Sequence, residues 1–284
     1  MNAFNLGVGE PMTVLVGLIV MLGMLVVVPA GLRLIGDPRL DTVRRLWPLA
    51  AVPGALSLWV ARGPVATALA SVYAVATVVL AAYAPVRLYR TRSLAACEIA
   101  VLTALVTPSV AGLALVAERS GHELFGFDLR ILALTVPHFH FAGFSAALIA
   151  GLCCRASSGR TGKIAALSVP LGTLLVLVGY FLDDWAELAG ALVLTAGMWA
   201  VSLLTWRDIR TQGRDRLTRA MFATAAGVLV ATMLLALSWA LGEATGIPHP
   251  SLTWMAATHG LGNALGFALC SVLAWRRIKE TAAV

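Results

Sequence analysis

The sequence predicts an all-α integral membrane protein, a bundle of about nine transmembrane helices that takes up the whole chain, 1–284, as a single domain. Three observations predict it. Hydrophobic residues make up 60% of the chain and charged ones only 12%, against about a quarter charged in soluble domains. A water-soluble fold of this length has no interior large enough for so much apolar surface. Apolar runs recur at the roughly 20-residue length that a bilayer core requires. Basic residues cluster in the short segments between those runs and fall mostly on one side.

The first run, 11–32, has no basic segment before it and is long for the apolar part of a secretory signal, so it reads as a span. Spans follow near 46–62 and 64–85, parted by the turn signal Arg62-Gly63-Pro64, and then at 94–117 and 130–153. The next two, 164–182 and 186–205, are separated only by the tight hairpin Asp183-Asp184-Trp185, and 220–241 and 251–275 complete the set. No connection exceeds about 15 residues, so any function has to be built inside the bundle or at its mouth. Trp59, Trp185 and Trp254 fit an outer aromatic belt, and Trp47, Trp206 and Trp275 an inner one.

With nine spans the connections alternate sides, and 18 of the 21 basic residues fall on one side. The other side holds only Arg62, Arg119 and Arg130. The positive-inside rule then puts the N-terminus outside and the C-terminus in the cytoplasm, with a bacterial inner membrane as the expected location. The formal charge of +7 does not point to nucleic acid, because the arginines lie in short runs between apolar segments rather than along one face. Cys97, Cys153, Cys154 and Cys270 show no metal spacing and no disulfide framework, and read as small buried hydrophobes near the cytoplasmic side.

Ionisable residues inside spans are costly in lipid and are therefore candidate functional groups. Span five carries Pro137-His138-Phe139-His140. Residues two apart point about 200° apart on an ideal helix, so either the two imidazoles face different neighbours or a kink at Pro137 brings both to one cavity. Span nine carries His259 and Asn263, which share a face at i, i+4. Gly262 and Gly266 on the same span permit a close helix neighbour. The hairpin between spans six and seven carries Asp183, Asp184 and Glu187. Taken singly, each histidine also reads as a strut between helices, the acidic hairpin as a solvated tip, and Glu98 as an interfacial partner of Arg92 or Arg155. Their shared depth toward one face argues for a cavity open to the outer leaflet.

The words PHFHFAGF (137–144), DDWAELAGA (183–191) and THGLGNALGF (258–267) resemble the YndJ-like family of bacterial membrane proteins, over the chain from about residue 130 onward. That resemblance implies a multi-pass membrane protein and nominates His138, His140, Glu187, His259 and Asn263, without implying a reaction. A looser likeness is to membrane ceramidase and progestin-receptor-like hydrolases, whose last-span HxxxH stands here as His259-x-x-x-Asn263. The small membrane-bound terpene cyclases are similar in architecture only.

The expected function is a membrane-embedded enzyme without a cofactor. It would carry out acid–base cyclisation, isomerisation or ring opening on a lipophilic isoprenoid- or polyketide-like substrate. His138, His140, Asp183, Asp184, Glu187 and His259 are the candidate catalytic groups. Asn263, Phe144, Tyr180, Trp185 and Trp254 are the candidate substrate contacts. One alternative is an intramembrane zinc hydrolase with ligands from His138, His140, His259 and Asp184; histidine-held haem is a further possibility. The other alternative is a proton-coupled transporter or lipid-handling protein.

Overall fold

The computed structural model describes residues 11–157 and 159–282. Among the described residues the chain forms nine long helices and no sheet. They are α1 (Pro11–Ile35), α2 (Leu40–Ser57), α3 (Pro64–Thr91), α4 (Ala96–Ser120) and α5 (Leu129–Ala156), then α6 (Arg160–Leu182), α7 (Asp184–Gln212), α8 (Arg216–Thr245) and α9 (Leu252–Glu280). Eight of these described helices are long and apolar enough to cross a bilayer. The protein is a multi-pass integral membrane protein embedded in lipid.

The exception is α2, whose 18 residues begin with Asp41, Arg44 and Arg45 in the first two turns. Its position corrects the expectation of a span at 46–62. Gly36, at φ 73°, ends α1 in the left-handed conformation, and the Asp37 carboxylate accepts from the Arg39 amide, which turns the chain straight into α2. At the far end, Arg119 donates to the carbonyls of Ser57 (3.3 Å) and Val60 (3.5 Å) and holds the last turn of α2 against α4. Most other helices run several residues past the apolar ruler, because helix continues into arginine-rich flanks that a hydropathy count leaves out. The Asp128, Asp183, Asp215 and Ser251 side chains each accept backbone amides as N-caps of α5, α7, α8 and α9.

Short connections make sequence neighbours antiparallel neighbours, and α2–α3, α3–α4, α6–α7 and α7–α8 all pack as pairs. The closest pair is α6–α7. A Cβ at Gly179 would lie 2.5 Å from the Glu187 backbone, so only glycine lets the two helices meet backbone to backbone beside the hairpin. The α4 helix sits centrally, against α3, α5 and α6.

The ends of the bundle differ in charge. One end, where α1, α3, α5, α7 and α9 finish, collects the arginine runs. There Glu98 is bound by Arg87 (2.8 Å) and Arg155 (2.9 Å), the first of these in place of the expected Arg92. At the opposite, acidic end each of the three basic residues is paired. Arg62 (2.7 Å) and Arg119 both bind the buried Glu118, and Arg130 binds Asp128 (3.5 Å). The aromatic belts are corrected in part. Trp47 is core and donates to the Met24 carbonyl (2.8 Å), and Trp275 is buried against Phe222, whereas Trp185, Trp206 and Trp254 remain exposed.

Candidate functional site

The acidic-end half of the bundle encloses a cavity of about 390 Å³ between α1, α5, α6, α7, α8 and α9. That volume lies within the range of small-molecule sites. Its wall is mostly apolar. The polar groups along it include His138, Tyr180, Glu187, Glu243, His259 and Asn263.

Backbone irregularity places the first of these. Pro137 has no N–H to give to the preceding turn, and beyond it α5 widens into π-helix over Phe139–Ser145. The widened turn sends the two histidines to different places. His138 lines the cavity, and among the described residues its buried Nε2 has no hydrogen-bond partner. His140 is fully buried and turned away toward α3. The Tyr73 hydroxyl donates to its Nε2, and its Nδ1–H donates to the Val136 carbonyl (2.7 Å). The candidate catalytic role of His140 is therefore corrected to that of a strut between α3 and α5.

The second imidazole of the cavity is clamped. In α9, which is π-helical over Ala256–Gly260 and Gly262–Leu269, Gly266 sits so close to Val228 that a Cβ there would be 2.7 Å from its side chain. This closeness brings α9 to hydrogen-bonding distance of α8. The Nδ1–H of His259 donates to the Thr232 carbonyl (2.8 Å), and its Nε2 accepts from the Asn263 carboxamide (3.1 Å). The Asn263 oxygen in turn accepts from the Thr232 hydroxyl (2.9 Å). The donor on Nδ1 sets the tautomer, and the chain of three bonds sets the ring plane. His138 lies within electrostatic reach of His259.

The carboxyls sit nearer the mouth. Glu187, one turn into α7, lines the cavity and lies within electrostatic reach of Asp184, Glu243 and Tyr180. Counting 1.5 Å per residue from each helix start, Glu187 is about 5 Å deep, His259 about 11 Å and His138 about 14 Å. An acid at the rim and an unpartnered imidazole some 9 Å below it, measured along the helices, form a polarised apolar chamber.

The structure moves other nominated residues away from this chamber. Asp183 is the N-cap of α7, its carboxylate accepting from Ala186 N (2.8 Å), and Asp184 is exposed in the first turn. Trp185 and Trp254 are 62% and 65% exposed, with no place in the cavity wall. Phe144 is fully buried beside Gly31, where a Cβ would come within 2.6 Å of its ring. Of the nominated aromatics Tyr180 lines the cavity, along with Phe139 and Phe141. The zinc ligand set His138, His140, His259 and Asp184 is not assembled. Among the described residues no three His, Cys, Asp or Glu side chains lie close enough together to hold a metal ion.

Glu243 and Trp239 line the cavity and Thr232 holds His259 and Asn263; none of the three was nominated from the sequence. Their signal was present in the spacing: 232, 236, 239 and 243 recur at helical intervals along one face of α8. A span ruled off at 241 leaves Glu243 outside the membrane and conceals that face.

The model of the YndJ-like protein family matches residues 18–267, and the chain belongs to that family. The likeness read from residue 130 onward thus extends back through the first four helices. Those helices contain no histidine, and their acids and arginines lie toward the helix ends, so little in mid-span marks them to inspection. No curated protein and no solved structure matches the chain.

Proposed function

We propose that the protein is a membrane-embedded enzyme that rearranges a lipophilic, isoprenoid- or polyketide-like substrate by acid–base chemistry without a redox step. One observation carries the reading: a buried imidazole nitrogen without a partner, Nε2 of His138, on the wall of an apolar cavity whose rim bears Glu187. Burying a polar atom unpaired costs free energy, and a substrate proton is the partner that such an atom lacks.

In this mechanism Glu187 gives a proton to a double bond, or to a ring or epoxide oxygen, near the mouth. Removing a carboxyl from water favours the neutral acid that such a step needs. Positive charge develops on the chain and passes along it, stabilised by the faces of Tyr180 and Trp239. His138 takes a proton from the far end. One proton enters and one leaves, so the product of cyclisation or isomerisation is an isomer of the substrate. Ring opening adds one water. The Thr232–Asn263–His259 chain holds the polar wall in one orientation. Below Phe141 and Phe267 the helices close into packed core, with Phe144, Leu148 and Phe222 fully buried. A chamber closed toward the basic end supports an enzyme over a transporter.

Isoprenoid-containing lipid extract incubated with the reconstituted protein should yield a product of unchanged mass and altered retention, or one heavier by a single water. Glu187→Gln and His138→Ala should each abolish it. Conversion that survives both substitutions would overturn the assignment.

The location that goes with this reading is a bacterial cytoplasmic membrane, with the acidic end and the cavity mouth outside. Single cysteines at Glu123 and Ile247 should react with an impermeant thiol reagent on intact cells, and one at Gln212 should not. Labelling confined to Gln212 would reverse the orientation.

A further inference from the structure

One side of the cavity wall has little helix–helix packing. The acidic-end half of α5 packs on α4 and α1, and its basic-end half packs on α4 and α6. At mid-depth α5 and α6 come together where the Thr173 hydroxyl reaches the Ala142 carbonyl (3.3 Å). At the acidic end they meet again through the loop before α5, where the ring of Phe127 packs edge-on against Phe181 (5.1 Å) and Tyr180 (6.2 Å). Between these two contacts, over about 12 Å of helix from Thr173 to Phe181, no ring contact or side-chain hydrogen bond joins the pair among the described residues, which makes this stretch the candidate window. Thr135 and Val176 line the cavity at this window. The face of α6 beside it is bare of protein and apolar, with Leu174 55%, Val178 41% and Phe181 54% exposed. In a bilayer that face is covered by lipid chains.

Charge adds a second constraint. Glu187 and Glu243 both line the cavity, and no lysine or arginine does. A carboxylate or phosphate head brought in from lipid would lose its water and meet two acids with no cation to pair with.

We infer that the α5–α6 window is a lateral entrance gated by Phe127 and Phe181, and that it admits bilayer-dissolved molecules whose polar end carries no negative charge. A long-chain alcohol is the model ligand; fatty acids and phospholipids are excluded. The inference rests on the proposed function only in taking the cavity as the site, and it holds whatever reaction follows.

Two photoreactive probes test it in phosphatidylcholine vesicles: a long-chain alcohol with a mid-chain diazirine, and the carboxylic acid of the same length. After illumination the alcohol should be found on peptides containing Met198 and Met233, inside the cavity, and the carboxylate about tenfold less, a difference of about 1.4 kcal/mol. In a Phe127→Cys/Phe181→Cys variant, oxidation should abolish cavity labelling by the alcohol and reduction should restore it. Thr135→Trp, which fills the window without a new bond, should give the same loss. The photolabel is read without turnover, so failure of the entrance and failure of the chemistry give different results. Equal labelling by both probes would overturn the charge selection. Undiminished cavity labelling in the oxidised pair and in Thr135→Trp would overturn the entrance. Absence of cavity labelling by the alcohol in the unsubstituted protein would overturn both.

Discussion

His138 and His140 stand two positions apart on α5 and serve different halves of the bundle, one bare-edged in the cavity and the other bonded through both nitrogens to Tyr73 and Val136. The two substitutions should therefore separate function from stability. His140→Phe keeps a ring in place but leaves the Tyr73 hydroxyl buried without a partner, which costs about 1–3 kcal/mol. Its melting temperature in detergent should fall while the residual folded protein turns over normally. His138→Ala gives up no bond at Nε2 and should abolish turnover with little thermal change. The reverse pattern would show that the strut and the working group have been interchanged.

The His259 clamp makes a second prediction. Thr232→Val keeps the shape of the side chain and the backbone carbonyl that holds Nδ1, but removes the donor to Asn263. Interhelical side-chain bonds of this kind contribute about 0.6–2 kcal/mol, so a modest loss of stability is expected. Nitrogen NMR of labelled histidine should still show the Nδ1–H tautomer of His259, with a broadened Nε2 signal as Asn263 loses its anchor. A switch to the Nε2–H tautomer would mean that the Thr232 carbonyl does not set the proton's position.

Glu118 is 3% exposed and holds both Arg62 and Arg119. Glu118→Gln leaves two guanidinium groups at the acidic end without a counter-charge, and breaking a buried pair in this way costs about 3–5 kcal/mol. Chemical denaturation in detergent should show a loss of that order. A change under about 0.5 kcal/mol, the level of an ordinary surface substitution, would show that solvent screens the cluster.

At the opposite end, Asp215 caps α8 and bridges to Arg277 on α9 (3.3 Å). The Thr218 hydroxyl, then the Thr218 amide and Arg277, pull its carboxyl down to about 2. A depressed folded value means that the contribution is complete above the unfolded value of about 3.9 and is lost as pH falls through about 2. Melting temperature should decline with acidification across that window. Asp215→Asn should flatten that part of the decline. An unchanged acid profile in Asp215→Asn would assign it to other carboxyls.

The sequence by itself determined the solvent and the architecture. Lipid length and charge sorting act residue by residue, so nine helices, their order and the acidic and basic ends are legible without a neighbour in view. The shared face of His259 and Asn263 was legible for the same reason, because i, i+4 is a local property of helix. Only the tertiary structure decided which polar residues do which job. The i, i+2 pair at His138 and His140 was ambiguous until the π-turn after Pro137 and the Tyr73 hydroxyl on α3 assigned one to the cavity and the other to the core. Asp183 became a cap because the α6–α7 hairpin closes on Gly179, which starts α7 at Asp184 and leaves Glu187 as the acid on the cavity wall. Glu243 joined it because α8 runs about one turn farther at this end than its apolar core suggests. Each of these outcomes depends on which backbone approaches which across the bundle, and that approach is set by glycine contacts and buried bonds between residues tens of positions apart.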